Sequence, residues 1–205
     1  MAITYPLALP TVTGVRSIEL QATNAVAISR SPFTFVSQVH AYSGQMWSAS
    51  LTLPPMHRSK SETWIAFLMS LRGQFGTFLL GDPRGCVSRG LASNFAGAPT
   101  VTAQTGSTIN VTGASANKAG WLLAGDYIQI GTAIDATLHK VLQDVNTSAS
   151  GDVTLEVWPA LRGPRTGVVI VTNTVGVFRL ASNDVAWSVD EASIYGISFS
   201  AVEKI

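Results

Sequence analysis

Apolar and polar residues alternate along most of the chain, and the alternation predicts a mainly β protein. Near the start, "SIELQA" (17–22) and "AVAIS" (25–29) read as two short strands with a turn at Thr23-Asn24. In "FTFVSQVHAY" (33–42), Phe33, Phe35, Val39 and Ala41 share one face, and Gln38, His40 and Tyr42 share the other. Ser43-Gly44 is the expected turn of a hairpin whose return strand is "QMWSASLTL" (45–53). There Trp47, Ala49, Leu51 and Leu53 point to the core, and Ser48, Ser50 and Thr52 point away. Pro54-Pro55 ends the strand, since proline brings no N–H to a ladder.

The period then changes from two to about 3.6. "SKSETWIAFLMSLRG" opens on Ser59-x-x-Glu62, a capping-box pattern, and repeats Trp64, Ile65, Phe67, Leu68 and Leu71 at helical spacing. A helix over about 59–72 is expected, with Gly73 as its left-handed cap. Beyond "QFGTFLLGDPRG" (74–85), residues 86–164 turn rich in Gly, Ala, Ser, Thr and Asn. They hold strand-like pieces ("TINVTG", "DYIQIG", "HKVLQDV", "VTLEVWPAL") and no helical pattern, which suggests a small barrel or sandwich. "GDPRG" (81–85) enters this stretch and "RGPRTG" (162–167) leaves it, both with the Pro, Arg and Gly of exposed junctions. Strand-like patterning resumes to the end. The expected layout is one β domain built from 1–84 and 166–205, with a second β domain, 85–165, inserted; two domains in series is the alternative.

Composition narrows the chemistry. Charged residues are 12% of the 205, against roughly 25% in an average domain, and the formal net charge is +1. No general attraction to nucleic acid or anionic membrane follows. A lone cysteine, Cys86, excludes an intrachain disulfide. "MAITYPLALP" lacks the basic start of a secretory signal, and runs such as "WIAFLM" are too short to span a bilayer, so a chain made in the cytoplasm with no membrane partner is expected. The match of Asn110 and Asn146 to glycosylation acceptors then carries no weight.

Gly76 and Gly81 have the glycine spacing of a phosphate loop, but Asp82 and Pro83 stand where that motif needs Lys and Ser or Thr. A carboxylate repels phosphate, and Pro83 disfavours helix at Asp82. His40, His57 and His139 show no zinc-ligand spacing, and no nucleophile elbow occurs. No catalytic, metal or cofactor residue is expected. Arg72, Arg84, Arg89, Arg162 and Arg165 gather near the junctions; Arg72, Arg84 and Arg165 are the expected subunit contacts.

The run "WSASLTLPPMHRSKSETWIAFLMSLRGQFGTFLLGDPRG" resembles a pattern in the tails of long-tailed phages and prophages. An alternating Trp strand ends in Leu-Pro-x-Met, then come a helix of the Trp-x-x-Phe-Leu type, Gly-x-Phe and a Gly-Asp-Pro junction. "LLAGDYIQIG", "HKVLQDV" and "VWPALRG" extend the likeness, which covers about two-thirds of the chain. The family is that of the distal tail protein. The resemblance implies a tail-tube-like β-sandwich with one flanking helix and an extra β domain. It also implies assembly into a ring, usually a hexamer, between the tail tube protein and the hub and other tail-tip proteins of the virion. No catalytic residues come with it. Gln38, Ser48, Ser50 and Thr52 are the expected lumen-facing residues, an uncharged wall past which DNA slides without binding. Alternatives are another tube or tube-terminator component, or a carbohydrate-binding module with Trp121 or Trp158 stacking on sugar. A wall hydrolase using Cys86 is the enzymatic rival.

Overall fold

The computed structural model describes residues 3–205. Among the described residues the fold is mainly β, with two sheets, one of them a half-barrel, and a single α-helix. The first sheet takes β1 (Ser17–Arg30), β2 (Ser37–Thr52), β3 (Met56–His57) and β4 (Phe78–Leu80) from the first part of the chain. Its remaining strands are β9 (Gly176–Leu180), β10 (Trp187–Val189) and β11 (Ile194–Glu203), and its order is β1-β2-β11-β9-β4. β3 and β10 pair with the first part of β11. Helix α1 (Arg58–Ser70) lies between β3 and β4 in sequence.

The second sheet holds β5 (Gly97–Ala114), β6 (Tyr127–Ile130), β7 (Thr137–Val141) and β8 (Val153–Ile170) in the order β5-β8-β6-β7. The 18-residue β8 pairs with β7 near Val157-Trp158 and with β6 at Val169-Ile170, which curls the sheet towards closure.

There are two apolar clusters, one centred on each sheet, and Tyr127 and Leu138 of the second sheet join the first. Trp47, Ala49 and Leu51 of β2, with Leu53 just past its end, meet Phe78, Phe178, Leu180 and Ala201 across the first sheet. Against them lie Trp64, Ile65, Phe67, Leu68 and Leu71, the stripe that the helical spacing marks. Burying side chains of this size contributes roughly 2 kcal/mol each. Trp121, Ile109, Ile128, Leu155 and Val157 centre the second cluster.

Four local features differ from the sequence reading. Residues 17–30 form one strand, not two, and Thr23-Asn24 lies within it. The hairpin is β1–β2, not 33–53: Ser43-Gly44 lies inside β2, at an irregularity where Asn24 pairs with Gln45 but Val26 pairs with Ala41. The true turn is Ser31–Val36, closed by Ser31 N–H donating to the Val36 carbonyl at 2.9 Å. Ser59 does not cap α1, whose N-cap is His57 with no side-chain bond; Glu62 pairs instead with Arg58 at 3.0 Å. Residues 162–167 belong to β8, and the chain returns to the first sheet through 171–175. Gly73 is left-handed as expected (φ +67°), and a side chain there would strike Asn183.

Candidate assembly surface

β11 covers β2 only from Ser48 to Thr52. Beyond that, β1 and β2 have only each other as strand partners, and Gln21–Arg30 and Ser37–Gly44 are exposed on both strands. The result is a two-stranded arm of roughly 25 Å beyond Thr23, from the rise of about 3.3 Å per residue.

Register gives the arm two unlike faces. Val26 pairs with Ala41 and Ile28 with Val39, on the side that carries Trp47 lower down. Ala27 pairs with His40 and Ser29 with Gln38, on the other side. The apolar side has nothing over it: Ile28 is 68% exposed and Val39 60%. At the tip, Phe33 is 91% exposed, with Phe35 and Val36 beside it. Local bonds fix that tip. The Ser31 hydroxyl accepts from the Phe33 and Thr34 N–H groups at 3.3 Å, and Arg30 stacks its guanidinium 5.0 Å from the Phe35 ring centroid.

Ser48, Ser50 and Thr52 share the side of the first sheet that faces away from the core. They stand in cross-strand rows with Gln21, Glu19 and Ser17 on β1, and with Val202, Ser200 and Ser198 on β11. The Ser48 hydroxyl donates to Gln21 Oε1, and the Ser50 and Ser200 hydroxyls meet, each at 3.4 Å. Glu19 on β1 and Arg179 on β9, which pairs with Val202, are one acid and one base on this side. Gln38 lies on the same side of β2 by register, but out on the arm.

Arg72, Arg84 and Arg165 are not brought together by any contact between them, and none is in an ion pair among the described residues. Arg72 and Arg84 are exposed, and Arg165 is half-buried. Arg89 and Arg162 work within the chain. Asp126 is buried and accepts N–H bonds from Arg89, Gly90 and Leu123 at 2.9–3.1 Å, with the Arg89 Nε 3.5 Å away. Arg162 donates two bonds to buried Glu203 at 2.8 and 3.2 Å and one to the Gln45 carbonyl. Glu203 also accepts the Trp47 N–H at 3.1 Å. Nearby, Trp158 packs edge-on against Trp47 with ring centroids 4.5 Å apart and donates to Asn24 Oδ1 at 2.7 Å. Trp47 Nε1–H reaches the Leu138 carbonyl at 2.9 Å. The Arg162–Gln45, Trp158–Asn24 and Trp47–Leu138 bonds tie the second sheet to the base of the arm, and no sequence pattern announces them because the partners lie up to 134 residues apart.

His139 sits in the same junction. Its Nδ1–H donates to the Pro159 carbonyl at 2.7 Å, which leaves Nε2 unprotonated facing the Thr137 hydroxyl at 2.9 Å. Burial pushes its pKa down to about 4.

The glycine pair at 76 and 81 is architectural. A Cβ on Gly81 would lie 2.1 Å from the Thr174 carbonyl oxygen, so a backbone crossing demands glycine there. Asp82 accepts the Arg84 N–H at 2.8 Å in a tight turn, and β4 is not followed by a helix that would cradle phosphate. Neither tryptophan offered for sugar stacking is a free platform: Trp121 is fully buried, and Trp158 is engaged by Trp47 and Asn24. No histidine lines the cavity beside Cys86. Among the described residues, no cluster of His, Cys, Asp and Glu suits a metal ion, and no helix is long and apolar enough to cross a membrane. No protein-family model matches the chain, and no curated protein matches it.

Proposed function

We propose that this chain is a non-enzymatic component of a phage tail, a distal tail protein that assembles into a closed ring, usually six-fold in the family it resembles. The arm carries this reading. A lone two-stranded hairpin is marginal in water, and one with an uncovered apolar side is incomplete. Covering Val26, Ile28, Phe33, Phe35, Val36 and Val39 is worth roughly 10 kcal/mol per copy before the costs of association. A neighbouring copy supplies that cover, and the same relation repeated by rotation closes a ring. Such a ring joins the tail tube protein to the hub and other tail-tip proteins.

Ser48, Ser50 and Thr52, with Gln38 further along, supply an uncharged hydroxyl and amide wall for the lumen. A wall with no excess of positive charge gives phosphates little to bind, so DNA passes through it. The test is Val26→Ser, Ile28→Ser and Val39→Ser together. Sedimentation should show loss of assembly, while the thermal melt at a concentration too low for the wild type to assemble stays within about 2 °C of it, because the three side chains touch no core. Undiminished assembly would contradict the reading.

A further inference from the structure

At the base of the arm lies an apolar groove of about 600 Å³. Thr23, Ala25, Gln45 and Met46 of the arm form one wall, and Ala160 and Leu161 of β8 the other. Gly44 and Gly106 also line it, and a Cβ on Gly106 would meet no atom within 4 Å, so this part stays open. Its walls are fixed relative to each other: Gln45 Oε1 accepts the Ala160 N–H at 2.7 Å, and Arg162 is clamped by Glu203.

We infer that this groove is the socket for the arm tip of a second copy, with Phe33 and Phe35 as the plug. The inference rests on the ring reading above and names its contact. Three observations select this occupant. A cavity of about 150 Å³ holds one benzene, so the groove accommodates two phenyl rings with the flanking Val36. The plug is already shaped, since Ser31 and Arg30 hold the turn, which lowers the ordering cost on docking. A hairpin of this length also cannot fold back onto its own base, so its tip reaches a groove of this kind only on another molecule. Plug and socket are different surfaces of one chain, as a head-to-tail ring requires. The two rings bury roughly 300 Å², short of the roughly 800 Å² per partner of a stable interface. The arm's apolar side supplies more, so tip and side act together.

Two variants of the full chain test this. Phe33→Ser with Phe35→Asn removes the plug; asparagine suits the left-handed backbone at position 35 (φ 57°). Ala25→Arg blocks the socket from an exposed position. Each should melt like the wild type at concentrations too low for either to assemble, and should raise the concentration at which assembly is half complete by at least about tenfold. Mixed at a concentration where neither assembles alone, the two should form a dimer of one copy of each and nothing larger. The Ala25→Arg copy keeps its plug, the other keeps its socket, and the remaining ends are too weak to bind at that concentration. If the wild type forms rings and the Phe variant forms them equally well, the socket assignment is overturned and the ring reading stands. Mixed variants that stay monomeric overturn it too. A wild type that never assembles removes both.

Discussion

His139 shows how a single side chain sets a pH limit on the junction between the sheets. An imidazole with a pKa near 6.5 in the unfolded chain and about 4 when folded binds its proton more readily unfolded. Stability from this residue is therefore complete above about pH 6.5 and falls as pH drops towards 4, by about 3 kcal/mol in all. His139→Gln should flatten the melting temperature against pH across that window; an unchanged slope would place the acid sensitivity elsewhere. Asp126 is the second residue of consequence. Three N–H groups depend on its carboxylate, so Asp126→Ala leaves them stranded and should cost about 3 kcal/mol. Calorimetry should show a drop on the order of 10 °C. Neither role was legible from sequence. Asp126 reads as a turn residue after Gly125, and His139 as an isolated histidine in a strand.

Among the elements, β2 shows what alternation can and cannot report. Trp47, Ala49, Leu51 and Leu53 fall on the core side as their spacing requires, and α1 buries the expected stripe. The same alternation runs on through Val39 and Ala41, but there the sheet and helix have ended. Period two says which residues share a face; it does not say whether anything covers that face. The hairpin turn lies away from Ser43-Gly44 for a related reason. Ser43-Gly44 has turn chemistry but serves an irregularity, while the real turn depends on Ser31 and a left-handed Phe35 that no propensity favours. At the junction, Arg162 and Glu203 depend on each other. Arg162→Met alone strands a buried carboxylate and should destabilise by about 3 kcal/mol; adding Glu203→Gln should recover part of that loss. Simple additivity of the two substitutions in denaturant melts would rule out the coupling.

For the whole molecule, the two sheets are joined by more than their connecting segments. The outgoing and returning segments run side by side, with Asn173 N–H donating to the Cys86 carbonyl at 2.6 Å. The Trp47–Trp158 contact and the Arg162–Glu203 pair add a second line of attachment. The stretch around Gly81 is therefore a fixed crossing rather than a hinge, and the second sheet is held where it forms one wall of the groove at the arm's base. An isolated copy presents both an unfilled groove and an uncovered arm, and that complementarity underlies the claim of a closed ring. Electron microscopy of the purified full chain, with its mass measured at the same concentrations, tests the claim most directly. Rings with a central hole and a mass that is a whole multiple of one chain are expected. A lasting monomer at high concentration, with its arm free, would contradict it.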